Sequence, residues 1–140
     1  MATFTSQIFE ILTLNGDNVG SSVTQTINNI NYVDNRILSV PTGSITTLFS
    51  MDSTPGAGTF VTSSIQYVRV TNNSTVTPIK LIVSSSTEAM SFLIATGSSY
   101  MMSTSKMTGS TSGLIFSDVK SVKVQPSSSD ASIEYYIVTT

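Results

Sequence analysis

The sequence predicts an all-β chain: one β-sandwich or jelly-roll domain over residues 1–140, built from about eight to ten short antiparallel strands. Three observations carry this. Apolar residues recur at spacing two, and helical spacing is sustained almost nowhere. The recurring residues are Val, Ile, Thr, Tyr and Phe, which suit a pleated, half-buried surface. Clusters of Asn, Gly, Pro and Ser interrupt the pattern at roughly ten-residue intervals, as they do in sandwiches. With 140 residues, 39% of them apolar, the chain can bury a core of its own.

Taken in order, Phe4 to Leu14 is dense in β-formers, Asn15-Gly16-Asp17-Asn18 is a hairpin-closing turn, and Val19 to Ile30 runs back. Arg36 to Val40 stops at Pro41-Thr42-Gly43; Ile45 to Met51 follows, and Pro55-Gly56-Ala57-Gly58 marks a wide turn. Phe60 to Thr71 then reads as the longest strand, central because both of its faces carry apolar side chains. Asn72-Asn73-Ser74-Thr75 supplies a turn and Pro78 opens Ile79 to Val83, so these two strands are expected to form a hairpin. Met90 to Ala95 and Tyr100 to Met102 come next, followed by a Gly/Ser/Thr-rich loop from Ser103 to Gly113. Leu114 to Phe116 and Val119 to Val124 lead to a last strand, Ser132 to Thr139. This strand alternates Ile133, Tyr135 and Ile137 against Glu134, Tyr136 and Val138, and with no Pro or Lys to blunt it, it is expected to be an open edge.

Composition narrows the chemistry. The chain has no Cys, His or Trp, so disulfides, thiol nucleophiles, imidazole bases and the usual ligands of zinc, copper and iron are all missing. Residues 1–70 hold two cations against four anions and residues 71–140 hold four of each, so neither half is a basic pole and nucleic-acid binding lacks its driving force. No apolar run approaches the roughly 20 residues of a membrane helix, so no membrane partner is expected. The first cation is Arg36 and the opening stretch is interrupted by Ser, Gln and Glu, which is not an export signal and points to synthesis in a cytoplasm. Ser and Thr make up a third of the chain while only 10% is charged, so its polar surface consists of hydroxyls.

Few residue groups are candidates for a site. The Asn15 to Asn18 turn offers oxygens to a hard cation, yet one carboxylate is too few, and a hairpin turn explains it; Asp34-Asn35-Arg36 reads as a loop. Two of Glu10, Asp34, Asp52, Glu88, Asp118, Asp130 and Glu134 could serve acid/base hydrolysis if they met across a cleft, but nothing in their spacing brings a pair together. Met90, Met101, Met102 and Met107 could hold copper(I), although core or interface packing is the simpler role for thioethers. Asn72 and Asn73 begin sequons and read as turn residues. The sequence therefore assigns no catalytic, cofactor-binding or metal residue, and an enzyme is not expected.

The runs Ile65 to Thr75, Pro78 to Val83, Phe92 to Tyr100 and Ile133 to Val138 resemble small virion proteins of tailed bacteriophages, of the capsid decoration, cement or head-fibre type. The resemblance covers residues 60–140. It implies a β-sandwich or jelly roll that is made in the host cytoplasm and sits on the capsid surface as a trimer or dimer. Its partners would be the major capsid protein and copies of itself. A charge-poor, hydroxyl-rich surface agrees with life inside an assembly, since such side chains pack with little desolvation or entropy cost. The alternative is a receptor- or glycan-binding module of a phage fibre or appendage, using the loops Ser103 to Gly113 or Ser53 to Gly58; neither loop holds the aromatic residue that sugar sites favour.

Overall fold

The computed structural model describes residues 1–108 and 115–140, and no helix occurs among them. The strands are β1 Thr3–Glu10, β2 Thr13–Leu14, β3 Asp17–Asn18, β4 Ser21–Asn28, β5 Tyr32–Val40, β6 Thr46–Asp52, β7 Thr59–Val61 and β8 Ile65–Asn72. The series continues with β9 Ile79–Ser84, β10 Ala89–Ile94, β11 Ser99–Met102, β12 Lys106–Thr108, β13 Phe116–Asp118, β14 Ser121–Pro126 and β15 Ala131–Thr139. Of these fifteen, nine have six residues or more. The others are two- to four-residue pieces that pattern alone does not separate from loops.

Two sheets form a sandwich, one ordered β10-β9-β14-β6-β7 and the other β11-β8-β15-β5. Their facing side chains make a common core: Ile79, Leu81, Val83, Val122 and Val124 from the first sheet meet Val68, Val70, Ile133, Tyr135 and Ile137 from the second. The β14–β6 register shifts between Val122 and Lys123, a bulge that lets the consecutive residues Leu48 and Phe49 both be buried. Hydroxyls do the work that ions do in most sheets: Ser84 pairs with Ser121 at 2.7 Å, Thr71 with Ser99 at 2.8 Å and Ser50 with Thr59 at 2.9 Å, each between partners opposite in register.

The structure corrects four local expectations. The stretch from Phe60 to Thr71 is two strands in different sheets, because Ser63 takes a left-handed conformation (φ 67°). Ser63 Oγ donates to Asp118 Oδ1 at 2.7 Å and Ser64 Oγ donates to the Val61 carbonyl at 2.6 Å, which holds that turn. Second, β8 and β9 are not a hairpin; the chain crosses from one sheet to the other through residues 73–78. Third, β15 lies between β8 and β5, so the final strand is central and the edges of its sheet are β11 and β5. Fourth, the sandwich is not wholly antiparallel, since β6 and β7 pair in parallel. Of the loop expected at Ser103 to Gly113, Lys106 to Thr108 instead pair with Phe116 to Asp118; residues 109–114 lie outside those described.

Candidate interaction surface

The hairpin read from the first thirty residues forms as expected. Strands β1 and β4 pair from Thr3↔Asn28 to Glu10↔Ser21, and β2 and β3 carry the ladder to the tip. There Asn15 (φ 52°) and Gly16 (φ 91°) make a left-handed two-residue turn, the conformation that Asn-Gly favours. Gly20 has a second constraint: a Cβ at that position would stand 1.9 Å from the Glu10 carbonyl oxygen, so the two strands close on each other only around a glycine.

Only the root of this arm is packed. Phe4, Ile27 and Ile30 cover Tyr67, Tyr136 and Val138 on the outer face of the four-stranded sheet. The Phe4 ring lies 5.0 Å from that of Tyr67 and 5.6 Å from that of Tyr136. From there the arm crosses toward β11, where Ser103 Oγ donates to Gln25 Oε1 at 3.2 Å. A groove of about 380 Å³ runs beneath it, between Phe4, Ser6 and Ile8 on one side and Arg69, Met101 and Tyr136 on the other. Arg69 Nη2 is tied to Glu134 at 2.6 Å, so the groove floor is charge-neutral.

Beyond the root the side chains are apolar and exposed: Phe9 (65%), Ile11 (82%), Leu12, Leu14, Val19 and Val23. The arm carries Glu10 and Asp17 and no cation. By the β1–β4 register Val23 shares its face of the arm with Ile8, and Phe9 points to the other face, so both faces carry exposed apolar side chains, an arrangement uncommon on a protein free in water. A second uncovered group lies at the far side of the same sheet, where Val33 and Ile37 of β5 are exposed.

The remaining candidates do not converge. Asp34 accepts from Arg36 Nε and from the Tyr135 hydroxyl at 2.8 Å, in a strand rather than the expected loop. Burial, then the bond to Asp34, push the Tyr135 phenol up to about 12. Asp52 is bound by the backbone and side chain of Ser53, which lowers its pKa. Lys106, then Ser63, hold the Asp118 carboxyl below its usual range. Asp130 accepts from the Thr42 amide at 2.8 Å, Glu10 from Ser21 at 2.7 Å, and Glu88 sits in the turn between β9 and β10. No cluster of acidic residues able to hold a metal occurs among the described residues. Met102 and Met107 are in the core, Met101 lies on the opposite face from Met102, and Met90 is on the edge strand β10, so the four do not meet as one site. Asn72 is a fully buried end of β8 rather than a plain turn residue. The expected 53–58 loop gains an aromatic that sequence reasoning missed: exposed Tyr32 joins Pro55, Gly56, Thr59 and Phe60 around a hollow of about 260 Å³.

The hairpin was legible in the sequence but its exposure was not, because an apolar strand face reads alike whether or not a core covers it. Comparison with protein-family models, curated proteins and solved structures found no match to this chain.

Proposed function

We propose that the chain is a non-enzymatic structural protein of a tailed-bacteriophage virion, a decoration or cement subunit that binds the major capsid protein and stabilises the shell. In this reading it is made in the host cytoplasm, acts on the capsid surface and is itself a homo-oligomer, dimer or trimer. The observation that supports it is the arm: a hairpin fastened at its root and carrying exposed apolar side chains along its free length. Full burial of Phe9, Ile11, Leu12 and Leu14 is worth about 1.5–3 kcal/mol each before ordering costs. Anything that binds only the assembled lattice stabilises it by mass action, which is how cementing works. The test is the heat and osmotic resistance of particles made without the protein and then supplemented with it. Resistance lost and then restored is expected; particles that keep full resistance without it overturn the cementing role.

One observation favours a second reading, a glycan- or receptor-binding module of a fibre or appendage. Tyr32 beside the 53–58 loop offers the stacking ring that the loop itself lacks. Binding on a glycan array that is lost in Tyr32→Ala would establish it, and an array without hits would remove it.

A further inference from the structure

The four-stranded sheet ends at β5, nine residues of backbone that, among the described residues, have a strand on one side only. This edge is long and regular. Its register with β15 runs unbroken from Tyr32↔Thr139 to Val40↔Ala131, and it contains neither proline nor lysine. Edges are commonly blunted by proline, lysine, a bulge or a covering segment, because an open row of amides and carbonyls templates pairing with another chain. The arm leaves over β11, the opposite side, so it does not cover β5. Tyr32, Val33, Asn35, Arg36, Ile37 and Ser39 are exposed along the strand.

We propose that this edge is the interface with a second copy of the chain, β5 pairing with β5 antiparallel about a two-fold axis at Asn35. The charges select this register. With the axis at Asn35, Asp34 faces the second copy's Arg36 and Arg36 faces its Asp34, while Val33 faces Ile37 and Tyr32 faces Leu38. Opposite charges and apolar pairs directly across a ladder stabilise it, and like charges there oppose it. An axis at Arg36 sets two guanidinium groups against each other, and one at Asp34 sets two carboxylates together. An axis at Ile37 leaves Arg36 facing Leu38 and Asp34 facing Val40. Two charges that would guard the edge against indiscriminate pairing thus admit one self-complementary arrangement. Asp34 and Arg36 already bridge along their own strand at 3.0 Å, so pairing closes a four-residue charge network across the axis. The two four-stranded sheets become one, with an arm projecting at each end. Such an isologous contact closes on itself and yields a dimer.

The inference concerns the free chain and does not depend on the shell reading: a dimer that ignores shells, or a monomer that binds them, separates the two. The chain has no cysteine, so Asn35→Cys adds a single thiol. Residues opposite in an antiparallel ladder have Cβ atoms about 4.5–5.5 Å apart, close to the reach of a disulfide. Mild oxidation is expected to convert Asn35→Cys to a covalent dimer, while Ser91→Cys on β10, an edge of the other sheet, stays uncrosslinked. Light scattering is expected to give twice 14.9 kDa for the wild type. Arg36→Asp should lose the dimer, and the charge-swapped Asp34→Arg/Arg36→Asp should restore it. A monomeric or trimeric wild type overturns the proposal. So does a dimer in which Asn35→Cys crosslinks no faster than Ser91→Cys, or one that Arg36→Asp leaves intact.

Discussion

Asn72 gives a sharp test of how the two sheets are joined. Its side chain is fully buried where β8 ends and the chain crosses to the opposite sheet. Its Nδ2 donates to the carbonyls of Thr77 at 2.9 Å and of Ile94 and Ala95 at 3.3 Å, and its Oδ1 accepts from the Ser74 amide at 3.0 Å. Asn72→Leu has similar volume and removes all of these bonds. A buried donor or acceptor left without a partner costs about 1–3 kcal/mol. Losing the Thr77 and Ser74 bonds should therefore cost about 3 kcal/mol, the two longer bonds adding less. Asn72→Asp is more informative because it aims an acceptor at three carbonyl oxygens. Burial and those oxygens disfavour the carboxylate, so its folded pKa lies above the unfolded value near 3.9. The sign follows: this variant keeps most of its stability below about pH 4 and loses it as pH rises through the elevated folded value. Urea denaturation midpoints at a series of pH values for wild type, Asn72→Leu and Asn72→Asp measure the effect. An Asn72→Asp variant within about 1 kcal/mol of wild type at neutral pH would refute the crossover account.

Other predictions follow from single contacts. Thr139 Oγ1 is buried and has no hydrogen-bond partner among the described residues, so Thr139→Val should be neutral or stabilising by about 1 kcal/mol, read from the thermal midpoint. Tyr135 titrates near 12 when folded and near 10 when unfolded, so the stability it contributes is complete below about pH 10 and disappears as pH rises toward about 12. Burial raises the Tyr100 phenol as well, so an ultraviolet titration should show a late component near 12 that Tyr135→Phe removes and Tyr100→Phe leaves. Gly20→Ala forces a Cβ against the Glu10 carbonyl, and hydrogen exchange should rise across residues 3–28 while β8 and β15 keep their protection.

Much of the fold was legible because its strands alternate or carry strong turn signals. Residues 4–30 announced a hairpin through Asn15-Gly16, and β15 announced its two faces through Ile133, Tyr135 and Ile137 against Glu134 and Tyr136. What failed was strand partnership, which depends on contacts remote in sequence. The spacing from Phe60 to Val70 runs through Ser63 undisturbed, and nothing local marks Ser63 as the residue that adopts positive φ. Asn72 carried the right turn chemistry, but its partners, the carbonyls of Ile94 and Ala95, are remote in sequence, and local chemistry does not show that the turn crosses between sheets instead of closing a hairpin. β15 looked open because it lacks Lys and Pro, the same composition that a central strand requires. The exposed arm was hidden for a related reason: Phe9, Ile11, Leu12 and Leu14 have core-like identities and become notable only once the sandwich is seen to be complete without them.

In the proposed decoration role the arm is the attachment device and the sandwich its carrier. The most direct measurement of the proposed decoration role is cosedimentation of the purified chain with tailed-phage shells that lack it, comparing wild type with Phe9→Ser/Leu12→Ser/Leu14→Ser. These side chains lie outside both buried clusters, so the melting temperature should stay within a few degrees of wild type. The account predicts that wild type binds and the triple variant does not. A triple variant that binds as well as wild type would contradict it.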